Sequence, residues 1–475
     1  MAKLVASRKA LFGPAQLRDV ERAAVRILEE VGLHVADDAR AELGRLGRKA
    51  NAAGRYTIKA AETRRFLKRE RESSGNRFST DPLPASGTDR PVEVFVAQYP
   101  TSVHDLVTDE IVPFTHPRLV EMTKLLDVLS SRGVTTSPPG NPADVPPKLQ
   151  PVLAYWTAAT YSRQGRAPVD PKWFEAVPYV MEMAEALGHP VKHLPVYIFS
   201  PLSLSGESLK VVLAMKDRLK GVSVNGMPSP GGSAPIRVAE AFAMSAAETI
   251  GSAILVREVT GLPVWWQVNA YPLDLRELAM IFGSPESFLF HLMSVEVNAF
   301  FHGTGWHPGT ANIHTNAKLP GAQACAEKMG VMAAGAMLGE RHFGAAGTLS
   351  LDEVFSPEQL LYDLEMKDHV QRLVGGTDLG IDVERCLAEV KEGVAAENFA
   401  GLESTREAYR TLYWHPELFE RDFLGAWKSR GSRTIREKAR GRIHELIASH
   451  SYRLDPATQK AIDGILARAT KALTD

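Results

Sequence analysis

The 475-residue sequence predicts an α/β fold, a (β/α)8 barrel with an N-terminal extension of helices and a β-meander and with a C-terminal helix. Two observations predict the barrel. Short apolar segments of strand length alternate with helical segments over about 300 residues, which is typical of a parallel sheet. No Gly-x-Gly-x-x-Gly turn opens any of these helices, so a closed barrel fits the sequence better than an open dinucleotide-binding sheet.

The N-terminal extension is predicted over residues 1–115. Apolar residues recur at helical spacing within residues 13–33, and Gly32 supplies a stop. Two further helices are predicted after Asp37 and after residues 57–58. Three alternating segments predict the β-meander: residues 92–96, 102–107 and 111–113.

The barrel is predicted over residues 116–430, and the charged helical segment 431–475 is predicted to pack on its outside. Strands are predicted at residues 134–136, 196–199, 222–224, 264–268, 299–301 and 342–344. Pro168 and Val169 form a doubtful strand because proline cannot donate to a sheet ladder. Helices are predicted at residues 171–187, 207–219, 234–259, 285–297, 321–338 and 357–373.

Composition excludes several classes of function. Lys and Arg total 55 against 56 Asp and Glu, so the formal net charge of −1 gives no reason to expect nucleic acid or a membrane surface as a partner. Two cysteines, Cys325 and Cys386, exclude a disulfide framework and a cysteine-rich metal cage. Charges interrupt every apolar run before the ~20 residues of a membrane span. We therefore expect a cytoplasmic enzyme. We also expect it to be a homo-oligomer.

The candidate site follows from the barrel, because barrel enzymes place their sites at the carboxyl ends of the strands. The aromatic side chains there suit a quaternary ammonium ligand, which aromatic faces attract with ~0.5–2 kcal/mol each. Trp266 and Tyr99 are candidate walls of such a cage. The residues predicted to bind substrate are Tyr99, Asn225, Trp266, Gln267, Asn269, Trp306, His307 and His314.

Two other interpretations stay open. His302, His307, His314 and His342 could serve a metal-dependent barrel enzyme, although the spacing H-x4-H-x6-H of the first three is not a recognised ligand pattern. The second alternative is a non-catalytic protein that only binds a betaine-like ligand.

Six segments together resemble the trimethylamine methyltransferase family, in order along nearly the whole chain. They are residues 23–33, 232–236 with Ala247 and Glu248, 317–328, 345–347, 356–365 and 414–421. Gly321 departs from the family pattern, which has Asp there, and residues 348–352 depart from the pattern that follows Gly347.

The resemblance implies a (β/α)8 barrel that moves a methyl group from an N-methylated amine to the Co(I) of a corrinoid on a separate carrier protein. Since the chain contains only standard residues, it resembles the branch without pyrrolysine, which is expected to use quaternary, betaine-like amines. No tightly bound cofactor, metal or catalytic side chain is then expected. A quaternary nitrogen leaves as a neutral amine, so the protein need only desolvate and orient the methyl group.

Overall fold

The structure is a computed structural model that describes residues 3–4, 6, 8–78, 90–136, 138–165, 172–305 and 309–474. Its strands are β1 His34–Val35, β2 Glu93–Val96, β3 Ser102–His104, β4 Ile111–Pro113, β5 Val134–Thr136, β6 His193–Tyr197, β7 Ser203–Leu204, β8 Gly221–Asn225, β9 Val264–Trp266, β10 Leu273–Asp274, β11 Ala279–Met280, β12 Thr310–Asn312, β13 His342–Gly344, β14 Thr348–Leu349 and β15 Val354–Phe355.

The helices lie between and after these strands. They are α1 Pro14–Glu30, α2 Asp37–Arg45, α3 Ala60–Ser73, α4 His116–Leu129, α5 Gln150–Tyr161, α6 Val177–Ala186, α7 Glu207–Met215, α8 Val238–Thr260, α9 Pro285–His302, α10 Ala322–Met337, α11 Pro357–Gly375, α12 Val383–Ala395, α13 Glu403–Ala408, α14 Leu424–Ser429, α15 Ile435–Ala448 and α16 Pro456–Leu473.

The predicted α/β barrel is confirmed by the strand pairing. Strands β12, β13, β2 and β5 pair in parallel in that order, and β6, β8 and β9 form a second parallel set. At least one helix lies between each successive pair of these seven strands, as parallel crossovers require. The first of them, β2, pairs directly with the last, β13, and this is the pairing that closes a barrel. The doubtful strand at Pro168 and Val169 lies outside the described residues.

The predicted meander is wrong in its first strand. Strands β3 and β4 do pair antiparallel, but β2 pairs in parallel with β5 and β13 instead of with β3. Alternation shows that one face of a strand is buried and does not show which neighbour the strand has. Val94 and Val96 are buried in the barrel, so β2 belongs to the parallel sheet although it precedes residue 116. The division into residues 1–115, 116–430 and 431–475 otherwise stays a prediction.

Two further strand assignments need correction. Residues 299–301, predicted as a strand, form the last turn of α9, which ends at Gly303 in the left-handed conformation. Ala-Phe-Phe fits a helix that is buried on one side as well as it fits a strand, and periodicity cannot separate the two over three residues. Strand β12 was not predicted, because it buries only Ala311 between two exposed polar residues.

The C-terminal segment packs on the outside of the barrel, as predicted, but as two helices. Helix α15 contacts α4 and α11, and α16 contacts α5 and α6. The break precedes Asp455, whose carboxylate accepts hydrogen bonds from the first backbone N–H groups of α16. The apolar faces of α15 and α16 therefore pack on helices of the barrel.

Helix α8 is the most deeply buried helix near the site. It is long and apolar enough to cross a membrane, yet most of it is buried inside the protein, as for a core helix of an α/β fold. Helices α1 and α8 pack along each other and close the side of the barrel formed by β6, β8 and β9.

Candidate active site at the strand ends

A cavity of about 1010 Å³ extends along α9 and is lined by residues of β9 and β12 and of the segments that follow both strands. Tyr99, Trp266, Gln267, Asn269 and His314 line it. Five of the eight residues that were predicted from their position at the strand ends therefore line one cavity.

The other three predicted residues are not found in the cavity. Trp306 and His307 lie outside the described residues. Asn225 is not among the described residues of the lining, and its side-chain amide donates a hydrogen bond to Ser223 Oγ at 3.3 Å. A polar residue at the end of a strand can bond back along that strand, and the assignment of Asn225 to the substrate stays a prediction.

A row of rings forms one wall of the cavity. The rings of Tyr271 and Phe282 meet edge-to-face with centroids 5.6 Å apart, and the Phe282 ring lies 5.1 Å from the His314 ring. Asn316 fixes this wall, since its side chain accepts from Gly283 N at 3.1 Å and donates to Met280 O at 2.8 Å. Phe282 was not predicted from the sequence. The sequence Gly-Ser-Pro after Phe282 marks the start of α9. This helix-start signal, which places Phe282 just before a helix, could have identified it as a candidate.

Trp266 contributes less to the cavity wall than predicted. Only 2% of its surface is exposed, and its ring packs against Phe66, Phe301 and His302. The His302 ring lies 4.1 Å away, and His302 Nε2 lies 3.0 Å from the Trp266 carbonyl oxygen. Trp266 therefore stiffens the floor of the cavity, whereas Tyr99, 49% exposed, is an open aromatic wall.

His314 faces the cavity as a neutral ring. Burial, with the Lys328 ammonium group nearby, lowers the pKa of His314 to about 3. At neutral pH its two nitrogens can therefore serve as one hydrogen-bond donor and one acceptor, and the ring carries no positive charge.

The charged groups of the cavity wall are carboxylates. Asp352 and Glu70 line the cavity, and among the described residues of the lining there is no Lys and no Arg. Burial raises the pKa of Glu70, and burial together with the neighbouring Glu353 raises the pKa of Asp352. A carboxylate whose pKa burial has raised gains from a bound cation, because the cation offsets the lost hydration.

The structure argues against a metal held by the four predicted histidines. Thr310 pairs with His342 at the amino end of their strands, whereas His314 follows the carboxyl end of β12, about 13 Å farther along at the usual rise per residue. His302 belongs to α9 and contacts Trp266, and His307 lies outside the described residues. Histidines at opposite ends of a sheet cannot share one ion.

The sequence model of the family described as trimethylamine methyltransferase (MTTB) matches residues 177–474 of this chain, more than half of its length. The chain belongs to this family. The matched region contains Phe282, His314 and Asp352, so the larger part of the cavity wall comes from the part of the chain that the family shares.

Relatives in the family carry two kinds of name. The trimethylamine methyltransferase MttB of Methanosarcina barkeri (strain Fusaro / DSM 804) is 27% identical over 292 residues, which are 61% of this chain and 58% of that protein. A glycine betaine methyltransferase of Desulfitobacterium hafniense (strain Y51) is 22% identical over 290 residues, 59% of each chain. The matches thus cover less than two thirds of these relatives' length.

Among solved structures, the chain is similar to the monomethylamine methyltransferase MtmB of Methanosarcina barkeri. The two are 11% identical, the superposition covers 92% of this chain and 93% of that one, and the TM-score is 0.41.

Proposed function

We propose that this protein transfers a methyl group from a quaternary, betaine-like amine to the Co(I) of a corrinoid held by a separate carrier protein. The observation that carries the proposal is the cavity at the strand ends, which combines aromatic rings with carboxylates and has no Lys or Arg among its described residues. Membership of the trimethylamine methyltransferase family supports the type of reaction.

The cavity suits the cationic end of such an amine. Tyr99, Tyr271 and Phe282 present aromatic surface, and each cation–π contact contributes ~0.5–2 kcal/mol. Asp352 adds the opposite charge without offering a hydrogen-bond donor when it is ionised. A quaternary ammonium group has no N–H to donate, so it gains more from such rings and carboxylates than from directed hydrogen bonds.

The cavity also offers donors for the carboxylate end of a betaine. The side-chain amides of Gln267 and Asn269 line the cavity and make no side-chain hydrogen bond to the described part of the chain. Each amide supplies two N–H donors, and two such groups can hold a carboxylate in place of a cationic side chain. This favours a zwitterionic substrate over a simple tetraalkyl cation.

The chain's own residues need only position the substrate. When the N–CH3 bond breaks, the nitrogen keeps the bonding electron pair and leaves as a neutral tertiary amine, so no acid is required. The neutral state of His314 agrees with this requirement, since its low pKa leaves the ring without a positive charge. The corrinoid in its Co(I) state supplies the nucleophile that accepts the methyl group. Alignment of the methyl group and exclusion of water are the protein's contributions.

The opening of the cavity fits a large methyl acceptor. Tyr99 and Met227 both line the cavity and are 49% and 52% exposed, so the cavity reaches solvent at the strand ends. The β3–β4 hairpin, which could have covered this end, pairs with β15 instead. The proposed location is the cytoplasm, in line with the free thiols of Cys325 and Cys386.

The test uses the full chain, free cob(I)alamin and a panel of N-methylated amines. We expect one equivalent of the tertiary amine to form from a quaternary substrate, measured by mass spectrometry together with the loss of Co(I) absorbance. Binding of the quaternary amines without any demethylation, with the family's own carrier protein included, would instead identify a non-catalytic betaine-binding protein.

A further inference from the structure

Residues 377–411 form an arm that leaves the end of α11 and returns to it. The arm contains α12 and α13, and the chain returns where Arg372 of α11 donates a hydrogen bond to Leu412 O at 2.6 Å. Thirty large apolar side chains are exposed in the described part of the chain, and eight of them lie within residues 379–409. This density far exceeds the scattered exposure of single apolar residues that is normal for a protein surface.

Helix α12 presents an apolar face that this chain leaves uncovered. Val383, Leu387, Val390 and Val394 are 67%, 48%, 44% and 66% exposed. Their spacing of four, three and four residues is that of the a and d positions of a helix that pairs with another helix. Cys386 lies on the same face and is exposed.

The arm is attached at the end of the barrel opposite the cavity mouth. Helix α11 begins near Asp352 of the cavity wall, and 19 residues give it a length of about 28 Å. Near its other end, Gln371 accepts a hydrogen bond from Val92 N, just before the amino end of β2. A carrier protein that presents its corrinoid at the strand ends does not need to contact the arm.

We propose that the arm is a subunit interface in which α12 packs on α12 of a second copy of this chain, around a twofold axis. In a symmetric dimer the same surface of both subunits meets at the twofold axis, so the apolar face of α12 is covered by the apolar face of the partner's α12. The eight exposed apolar side chains of the arm, four of them on α12, together present on the order of 800 Å². That is the area that each partner buries in an interface of standard size, so the segments on both sides of α12 must take part in the contact. Apolar surface of this kind is typical of permanent interfaces.

The test is the mass of the full chain in solution. By sedimentation we expect the native chain at micromolar concentration to show at least twice the monomer mass of 51.9 kDa. The double variant Leu387→Glu/Val390→Glu should sediment at half the native mass or less. Glutamate forms helices well and these side chains are exposed, so the fold should persist with an unchanged circular dichroism spectrum.

A matched variant and a thiol probe complete the experiment. Val107→Glu changes an apolar residue that is 86% exposed on the β3–β4 hairpin and should leave the oligomer intact. Iodoacetamide should modify Cys386 at least ~10-fold faster in the double variant than in the native chain, because the interface protects it. A native chain that sediments as a monomer, or a double variant that keeps the native mass and the native rate of Cys386 modification, would overturn the proposal.

Discussion

Lys328 and Asp363 form an ion pair in which Nζ lies 2.9 Å from Oδ2 and neither side chain is exposed. Lys328 also donates to Ala345 O at 2.9 Å, and Asp363 accepts from Gly347 N at 2.7 Å and from Gln359 Nε2 at 2.8 Å. These residues come from three of the segments that resemble the family. The shared motifs therefore hold α10, α11 and the loop after β13 together, and the charge of Lys328 also helps to lower the pKa of His314 in the cavity.

The pair predicts an asymmetric response to substitution. Asp363→Leu leaves the Lys328 charge buried without its partner and should lower the free energy of unfolding by about 3–5 kcal/mol. Lys328→Met/Asp363→Leu removes both charges and should recover most of that loss. Denaturant unfolding measures both variants, and changing the exposed Arg26–Glu30 pair of α1 in the same way should leave the midpoint nearly unchanged. Equal losses in the single and the double variant would contradict the prediction.

Glu248 predicts how stability depends on pH. It is buried in α8, its carboxylate accepts from Ser200 Oγ at 2.6 Å and from Leu202 N at 2.9 Å, and burial raises its pKa to about 7. The unfolded chain releases this proton near pH 4.3, so between about 4.3 and 7 only the folded state holds it. The contribution of Glu248 to stability therefore falls across that window, by up to about 4 kcal/mol, and is constant above it.

Glu248→Gln removes the titration, and its amide can still accept from Leu202 N through the oxygen and donate to Ser200 Oγ through the nitrogen. The melting temperature of the native chain relative to this variant should fall as the pH rises from about 5 to 8. Calorimetric scans of both proteins in the same buffers give this difference. Parallel curves would mean that Glu248 does not change its protonation state in this range.

Much of the fold could be predicted because periodicity reports burial directly. Strand β13 was predicted at its observed bounds, and α10 lies within one residue of its predicted ends. The strand pairing could not be predicted, because alternation in β2 is the same whether the neighbour is β3 or β13. Strand β12 was missed because it buries only Ala311. The end of α9 was misassigned because Ala299, Phe300 and Phe301 are all apolar and fit a helix as well as a strand.

The candidate site was only partly predictable for a different reason. Gln267, Asn269 and His314 follow strands β9 and β12, so the barrel rule places them in the cavity. Phe282 precedes α9 and follows the β10–β11 hairpin, and the hydrogen bonds of Asn316 hold its neighbours in place. The position of Phe282 therefore depends on contacts between residues more than thirty positions apart in the sequence. A local sequence pattern cannot predict such contacts.

The aromatic wall predicts how the cavity selects its ligand. Phe282→Ala should weaken the binding of a quaternary ammonium compound about 10-fold, which corresponds to a cation–π loss of ~1–2 kcal/mol. The neutral compound with carbon in place of nitrogen should lose less affinity. Calorimetry with both ligands measures the difference, and Phe423→Ala, at a side chain 91% exposed outside the cavity lining, serves as control. Equal losses for both ligands would show that Phe282 acts through shape alone.

The rim of the cavity predicts a separation of binding from transfer. Met227 follows β8, lines the cavity and is 52% exposed, so under the proposed function it lies where the corrinoid would approach the bound amine. Met227→Trp should leave the dissociation constant of the amine within about 2-fold and slow methyl transfer at least ~10-fold, because transfer requires close alignment of the reacting atoms. Met227→Ala opens the rim and should transfer at the native rate or faster. Ile236→Trp places the same bulk at a neighbouring residue, 62% exposed and outside the cavity lining, and should change neither quantity. Native transfer rates in Met227→Trp would mean that the methyl acceptor reaches the amine by another route than the strand-end opening, and the corrinoid proposal would lose its geometric support.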